Sequence, residues 1–273
     1  MALASIEGKK ALVTGGAMGI GRALVEELLE RGASVCLVDI DGPALKETVA
    51  QLTSRLRPGQ RAMGLVADVA SPESVNAMAE TAWRELGAVD LLCANAGVTT
   101  AYGGAPDEMA LADWHRLFDV NVFGVIHCLQ AFLPRLRARA APSHILITAS
   151  SAGLLPTANR AAYCASKHAV VGLSESLFLQ LQGTSIGVTL LCPGVTATRM
   201  LEPDMQRPQG MPGRPLNPAL LAQAKSPREV ARAALAGVLA GTFWILTHED
   251  LKPAVLARAA AIAGAAPPPD AYH

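Results

Sequence analysis

Short apolar segments alternate with longer helical segments along almost the whole chain, and this alternation limits the possible fold more than any other feature. KKALVTGG begins with an apolar run, and GIGRALVEELLERGA follows with apolar residues at helical spacing and ends at Gly32. Further apolar runs follow as SVCLVDID, RAMGLVADV, VDLLCANAG, HILITASSAG, IGVTLLCPG and TFWILT. Strands that are apolar throughout are typical of a parallel sheet covered on both faces. The pattern predicts an α/β fold with one doubly wound, seven-stranded parallel sheet, in a single domain over residues 1–273.

Capping residues and helix breakers predict where several helices begin and end. Ser71 is followed by proline, which indicates a helix start, and another start is expected near Ser226. Helical spacing predicts a helix at about 43–56 and a long one at about 109–139, with a bend near Pro134.

Charge and hydropathy limit the classes of partner. The 23 basic and 23 acidic side chains balance, so no electrostatic attraction to nucleic acid or to an anionic membrane is predicted. The apolar runs are short, and the N-terminus lacks the charged-then-apolar order of a signal peptide. We therefore expect a cytoplasmic protein that binds neither nucleic acid nor a membrane.

The cysteines and histidines do not follow a metal-binding or redox motif. The cysteines are odd in number, widely spaced and mostly within apolar segments, which predicts buried thiols at Cys36, Cys93, Cys128, Cys164 and Cys192. The histidines lack metal-ligand spacing. No metal site is predicted, and a metal-dependent enzyme is disfavoured.

The glycine-rich segment TGGAMGIG lies between the first predicted strand and the first predicted helix. Gly15 permits a tight turn, Gly19 lets a pyrophosphate approach the backbone, and Gly21 allows close packing of helix and strand. The helix N-terminus adds unpaired N–H groups and partial positive charge. Although the spacing differs from GxGxxG, the strand-turn-helix context predicts a Rossmann-type site for a dinucleotide phosphate.

Acidic and small residues at the ends of the next strands extend this predicted site. Asp39 ends the second strand, where a carboxylate would accept hydrogen bonds from ribose hydroxyls, although a turn or capping aspartate is an alternative. A 2′-phosphate there would meet like charge, and Arg22 is the only basic residue inside or directly after the glycine loop, so NAD is favoured over NADP. Asp68 is placed to contact adenine. The fourth strand ends in the small-residue patch Asn95, Ala96 and Gly97.

Tyr163 and Lys167 are four residues apart in a predicted helix and therefore share one face. A nearby ammonium favours the phenolate and lowers the pKa of a tyrosine towards neutrality. Such a tyrosine can act as a general acid or base. An isolated YxxxK is more often a pair that merely shares a helix face, so the interpretation depends on the other motifs.

Those motifs together resemble the short-chain dehydrogenase/reductase family in its classical branch, and the match covers nearly the whole chain. The motifs are TGGAMGIG, Asp39, NAG at 95–97, Asn121, Ser150, YCASK at 163–167 and PG at 193–194. The resemblance implies an oxidoreductase that transfers a hydride between a nicotinamide cofactor and the carbinol or carbonyl carbon of a secondary alcohol or ketone. It also implies a catalytic tetrad of Asn121, Ser150, Tyr163 and Lys167. Ser151 is the alternative to Ser150.

Each tetrad residue has an expected role in this chemistry. The cofactor carries the hydride, so the protein must move a proton on the substrate oxygen, and Tyr163 is expected to do so. Ser150 is expected to donate a hydrogen bond to that oxygen. By resemblance, Lys167 also binds the nicotinamide ribose, and Asn121 holds a water that relays protons.

The segment PGVTATRM resembles the one that clamps the nicotinamide carboxamide. Thr196 stands where the family usually has Val or Ile, which puts the apolar packing beside the ring in doubt, whereas Thr198 fills the usual threonine position. The complete set of expected cofactor contacts is Gly15, Met18, Gly19, Ile20, Gly21, Asp39, Ile40, Asp68, Val69, Asn95, Ala96, Gly97, Tyr163, Lys167, Pro193, Gly194, Thr196 and Thr198.

The substrate pocket is expected beside a loop at about 199–226, which precedes the last helix and strand; a short AAPPPD tail ends the chain. Apolar residues there favour an apolar or aromatic substrate: Leu154, Leu155, Met200, Leu201, Met205 and Met211. The same side chains would equally suit a loop that simply packs on the domain.

Two other functions stay open at this point. The first is an enzyme of the same fold that prefers NADP. The second is a nucleotide-sensing or scaffold protein without turnover, which would not need all four tetrad groups. The resemblance also implies a homodimer or homotetramer formed through the helices that carry Asn121 and Tyr163.

Overall fold

A seven-stranded sheet, parallel at every pairing, forms the centre of the computed structural model, which describes residues 3–99, 105–158, 160–201 and 222–268. Its spatial order is β3-β2-β1-β4-β5-β6-β7. The strands are β1 Lys10–Thr14, β2 Ser34–Asp39, β3 Ala62–Val66, β4 Leu91–Ala94, β5 Ser143–Thr148, β6 Ile186–Cys192 and β7 Trp244–Leu246. The predicted doubly wound parallel sheet is confirmed.

Helices cover both faces of this sheet. Within the described ranges they are α1 Gly19–Glu30, α2 Gly42–Thr53, α3 Pro72–Leu86, α4 Leu111–Phe118, α5 Gly124–Arg139, α6 Ala161–Gln180, α7 Pro227–Ala240 and α8 Lys252–Ala263. One apolar core joins α1, α2 and α7 to one face of the sheet, and a second joins α3, α5 and α6 to the other. Burial on both faces explains why the central strands are continuously apolar.

The predicted capping residues act as expected. The Ser71 hydroxyl accepts a hydrogen bond from Ser74 N at the start of α3. Ser226 forms a capping box with Glu229 at the start of α7, and Gly32 follows α1 with a φ of 90°. These local interactions fix helix ends at positions that the sequence pattern already indicates.

The long helical segment differs from its prediction in one respect. It spans Leu111–Arg139, and α5 runs through Pro134. A π-helical turn that the pattern did not predict lies at Asp119–Phe123, between α4 and α5. Such turns shift the hydrogen-bonding register by one residue and often occur at functional positions.

The same segment corrects the expectation that no apolar run is long enough to cross a bilayer. By length and composition alone, Leu111–Arg139 would be long and apolar enough to span one. Its α5 part contributes buried residues to one apolar core, among them Phe132 and Leu136. A core helix passes the same length test, so the segment is weak evidence for a membrane span.

All five cysteines are buried, as predicted, and each is a free thiol. Burial raises the pKa of Cys36, Cys128 and Cys192 to about 12, and it also raises the pKa of Cys93. These thiols are therefore protonated in the native protein over the whole neutral range.

Candidate functional site

The predicted cofactor residues meet at the carboxyl ends of the strands, beside the point where the strand order reverses. The chain leaves β1 for β2 on one side, whereas β4 pairs with β1 on the other. Crevices at such a switch point are where doubly wound sheets bind ligands. The glycine loop follows β1, and Asn95, Ala96 and Gly97 follow β4.

The glycine loop has a conformation that only glycine adopts easily. Gly15 has a φ of 64° and Gly19 a φ of 57°. A Cβ on Gly21 would lie 1.9 Å from the Gly15 carbonyl oxygen, so this glycine packs against the loop itself. Met18 precedes α1 without a side-chain cap, and the first turn has no acidic residue. These features fit a phosphate at the N-terminus of α1, with Ile20 in that same turn.

Asp39 is buried at the end of β2 and faces the glycine loop. Its Oδ2 accepts a hydrogen bond from Ala17 N at 3.0 Å, and its Oδ1 accepts one from Asp41 N at 3.1 Å. Arg22 turns away, because its guanidinium bonds Glu26 at 2.9 Å and Gln51 at 2.8 Å. The predicted ribose position therefore has a carboxylate, and among the described residues no cationic side chain bonds to it.

A hydrogen-bond network joins the glycine loop to the catalytic side of the crevice. Thr14 Oγ1 accepts hydrogen bonds from the backbone N–H groups of Asn95 and Ala96, each at 3.0 Å. The Asn95 amide donates to Thr14 O at 3.0 Å and accepts from Thr148 Oγ1 at 3.1 Å. The sequence pattern did not predict a role for either threonine. Thr14 is the last residue of β1 and Thr148 the last residue of β5, and a hydroxyl residue at a strand end is the signal that could have indicated them.

Lys167 continues this network. Its ammonium donates to the Thr148 carbonyl at 3.2 Å, and the side chain is only 4% exposed. Burial lowers the pKa of Lys167 to about 8, while the nearby Cys192 sulfur opposes that shift. Its Nζ lies 5.9 Å from the centre of the Tyr163 ring. The predicted pair therefore shares more than a helix face, since the ammonium is directed at the ring.

Ser150 and Ser151 both lie in the short turn between β5 and α6. The Ser150 Oγ accepts a hydrogen bond from Ala152 N at 3.1 Å, which leaves its hydroxyl proton for another acceptor. Ser151 N donates to Pro193 O at 2.9 Å. The 3₁₀ turn Ser151–Gly153 packs so closely on α6 that a Cβ on Gly153 would lie 2.6 Å from Lys167 O. The turn thus holds the serines against the helix that carries Tyr163.

Asn121 lies in the π-helical turn and is completely buried. Its Oδ1 accepts from Val98 N at 2.8 Å, and its Nδ2 donates to Val98 O at 3.0 Å and to Ser166 Oγ at 3.1 Å. The amide therefore fixes the chain just after Gly97.

The segment after β6 is fixed by the two residues that follow β7. Gly194 N donates to Thr247 Oγ1 at 3.3 Å, and a Cβ on Gly194 would lie 2.6 Å from Nδ1 of His248. The Thr196 hydroxyl donates to Gly194 O at 3.1 Å, so it bonds its own loop. The Thr198 methyl faces Gly19, 3.3 Å from where a Cβ would stand. Sequence reasoning missed the two residues of the β7 end.

The remaining predicted residues differ in their exposure. Ile40 is 66% exposed at the end of β2, whereas Val69 is buried and packs against Gly124. The Asp68 carboxylate accepts from Ala70 N at 2.9 Å. Of the predicted pocket residues, Leu155 is buried and Met200 is 41% exposed. Met205, Met211 and most of the 199–226 loop lie outside the described residues, as does the side chain of Leu201.

The chain matches known proteins over most of its length. The family model for short chain dehydrogenases matches residues 9–209. The 1-deoxy-11-beta-hydroxypentalenate dehydrogenase of Streptomyces exfoliatus is 38% identical over 208 residues, which is 76% of this chain and 74% of that protein. The (-)-trans-carveol dehydrogenase of Rhodococcus erythropolis is 33% identical over 227 residues, 76% of this chain and 80% of that protein.

A solved structure is similar over nearly the whole fold. It is a short chain dehydrogenase/reductase from Burkholderia phymatum in complex with NAD, 34% identical, with a TM-score of 0.88 and coverage of 98% of this chain and 99% of that one. The chain therefore belongs to the short-chain dehydrogenase/reductase family and is an oxidoreductase that acts on hydroxyl or ketone groups.

Proposed function

We propose that the enzyme uses NAD to oxidise a secondary alcohol, or NADH to reduce the corresponding ketone, with Tyr163 as the general acid/base. The observation that carries this proposal is the buried Lys167 ammonium, which faces the Tyr163 ring at 5.9 Å and has a carbonyl as its hydrogen-bond partner. A cation so placed favours the phenolate. NAD, when bound, supplies the hydride acceptor.

Tyr163 and Ser150 act on the substrate oxygen in this proposal. During oxidation the Tyr163 phenolate accepts the hydroxyl proton as the hydride leaves the carbinol carbon, and in reduction it returns that proton. Ser150 donates a hydrogen bond to the same oxygen and stabilises the charge that develops there. The contact from Ala152 N supports this role, because it orients the Ser150 hydroxyl from the acceptor side.

Lys167 and Asn121 support the tyrosine. Lys167 stabilises the phenolate and holds the nicotinamide ribose. Protons reach solvent through a water held at the π-helical turn around Asn121. The pKa of Lys167 of about 8 supports such a relay, because the ammonium can lose and regain a proton near neutral pH.

NAD is the proposed cofactor because of Asp39. A carboxylate beside the ribose suits two hydroxyls and repels a 2′-phosphate. Arg22, which could have compensated that charge, is paired with Glu26. We propose that NAD contacts the full set of cofactor residues predicted from the sequence, of which Gly15 is the first and Thr198 the last. Lys167 and Tyr163 would both contact the cofactor and take part in the reaction.

The proposed substrate is apolar or aromatic around the reacting carbon. Met200, which is 41% exposed and follows the Thr198 segment in the chain, supports this proposal as an apolar side chain available to a substrate. By family likeness we further propose a cytoplasmic homodimer or homotetramer.

A panel of secondary alcohols, assayed with NAD and with NADP by the absorbance of the reduced nicotinamide, tests the proposal. The expected result is turnover with a higher kcat/KM for NAD. Ser150→Ala should lower kcat/KM by about 100- to 1000-fold, whereas the matched control Ser151→Ala should change it by less than about tenfold. Clear preference for NADP would overturn the reading of Asp39.

The same measurements separate an enzyme from a nucleotide sensor. If the protein bound NADH but oxidised no alcohol, and Tyr163→Phe altered neither binding nor any rate, the sensor function would replace the catalytic one. An effect of Ser151→Ala as large as that of Ser150→Ala would exchange the two serine roles.

A further inference from the structure

Arg160 lies against the face of Tyr163, one turn before it in sequence. Its guanidinium carbon is 4.7 Å from the centre of the tyrosine ring. One of its terminal nitrogens donates to Thr99 Oγ1 at 2.8 Å. Thr99 follows the segment that Asn121 fixes through Val98, so the guanidinium is held between the end of β4 and the start of α6.

The charge of Arg160 has no protein counter-ion in the part of the chain that the structure describes. Other partly buried arginines do: Arg31 pairs with Glu27, Arg135 with Glu80, and Arg139 with Asp90. A guanidinium has five N–H donors in a rigid fork that matches a carboxylate, and the bond to Thr99 uses one of them.

We propose that Arg160 forms a carboxylate subsite beside Tyr163, so that the preferred substrates are hydroxy acids and the corresponding keto acids. The inference rests on the proposed function, because it places the substrate oxygen at Tyr163. The ring of Tyr163 contacts the guanidinium on its face and carries the reacting hydroxyl on its edge. A carboxylate bound to Arg160 is therefore a few bonds from the carbon that is oxidised.

Charge-assisted bidentate hydrogen bonds make this subsite selective. The Thr99 bond and the tyrosine ring restrict the rotamers of Arg160, so little further ordering is needed when an anion binds. An ester or amide offers the same fork no negative charge. The apolar surface around the reacting carbon and the cation at its side then suit an apolar skeleton that bears one acidic group.

The test compares secondary hydroxy acids with their methyl esters, for example 3-hydroxycyclohexanecarboxylate and its ester, using wild type and Arg160→Gln. Wild type is expected to prefer the acids. Arg160→Gln should lower the ratio of kcat/KM for acid over ester by about 10- to 100-fold. Arg160→Lys should restore part of the ratio, since it keeps the charge without the fork.

Arg116 provides a matched control. It is exposed on α4 and donates to the backbone oxygen of Thr99, at 3.4 Å. Arg116→Gln removes one positive charge from the same region and should change the acid-to-ester ratio by less than about twofold. A large effect of this control would show that positive charge in this region attracts the acids without a specific binding site, and it would overturn the proposed subsite.

A binding measurement tests the subsite without turnover. Cyclohexanecarboxylate, titrated calorimetrically into the enzyme with NAD, should bind at least about tenfold more tightly than cyclohexanecarboxamide, and Arg160→Gln should remove that difference. Equal binding of acid and amide to wild type would overturn the proposal.

The outcomes separate failure of the subsite from failure of the proposed function. Esters that are oxidised as well as acids would overturn the subsite and leave the alcohol dehydrogenase. An equal loss for acid and ester in Arg160→Gln would also overturn it, because Arg160 would then act through Tyr163. If no alcohol in either series were oxidised, the proposed function would fail and the substrate class with it.

Discussion

Glu27 and Lys167 are two buried charges that the fold treats in opposite ways. Glu27 in α1 is 3% exposed and accepts hydrogen bonds from Arg228 at 2.7 Å, Arg232 at 2.8 Å and Arg31 at 3.3 Å. Lys167 in α6 is 4% exposed, and its ammonium donates a hydrogen bond to a neutral carbonyl. Among the residues that the structure describes, three arginines compensate the charge of Glu27, whereas no carboxylate pairs with Lys167.

The two environments favour opposite forms of the side chain. The pKa of Glu27 is shifted towards the charged form, and the pKa of Lys167 towards the neutral form. Burial would raise the pKa of Glu27, but the hydrogen bonds from Arg228 and Arg232 outweigh it and hold the carboxyl below its usual range. Burial lowers the pKa of Lys167 to about 8, towards its neutral form. The Glu27 carboxylate is thus held in its ionised form, whereas the Lys167 ammonium can lose its proton more readily than an exposed lysine.

The largest expected effect comes from removing the uncompensated charge. Lys167→Met should lower kcat/KM by at least about 100-fold and weaken NAD binding by about tenfold, because the proposed lysine acts on both Tyr163 and the ribose. Steady-state rates and a fluorescence titration with NADH measure the two effects. The control Lys46→Met removes an exposed ammonium of α2 and should change neither. A slower variant with unchanged cofactor affinity would refute the double role.

Removing the compensated charge should affect stability instead. Glu27→Gln leaves three arginines without their shared anion and should lower the free energy of unfolding by about 1–3 kcal/mol, less than for a fully enclosed pair, since Arg228 and Arg232 remain half exposed. Urea denaturation measures this, and kcat/KM should stay within about twofold. The control Glu47→Gln, on the surface of α2, should change stability by under about 0.5 kcal/mol.

The pH dependence of stability should distinguish the two sites. Because the folded pKa of Lys167 is about 8 and the unfolded one 10.5, the unfolded chain binds more protons between these values, so stability rises with pH in that window. Relative to Lys167→Met, wild type should gain about 2–3 kcal/mol from pH 8 to 10.5. Parallel curves for the two proteins would contradict the burial of an uncompensated ammonium. Glu27 should contribute in the opposite range, with its stabilisation lost as the pH falls below 4.5.

The smallest effect is expected at one partner of Glu27. Arg232→Gln should cost less than about 1 kcal/mol, because its side chain is 56% exposed and two arginines still bond the carboxylate. Thermal unfolding beside wild type and Glu27→Gln measures it. A loss equal to that of Glu27→Gln would mean that the carboxylate relies on a single partner.

The sequence pattern predicted the fold and the main motifs because these depend on local signals. The alternation of strands and helices, the positive φ of Gly15 and the cap at Ser71 each arise from neighbouring residues. The placement of Lys167 beside Tyr163 follows from a spacing of four on a helix.

Contacts between distant residues could not be predicted in this way. Glu27 meets Arg228 and Arg232 only because α1 and α7 lie side by side, about 200 positions apart in the chain. The bonds of Asn121 to Val98 and of Arg160 to Thr99 likewise depend on tertiary placement. The π-helical turn at Asp119–Phe123 was not predicted either, because the prediction for the long segment rests on one continuous α-helical repeat.

The reactivity of the five buried thiols can be used to follow local unfolding of the native protein. They are spread over β2, β4, β6, α5 and α6, and burial raises the pKa of the four thiols in β2, β4, β6 and α5. An alkylating reagent needs a thiolate that it can reach. Each cysteine therefore becomes reactive only when its own strand or helix separates from the core, and the order of modification records which layer of the molecule opens first.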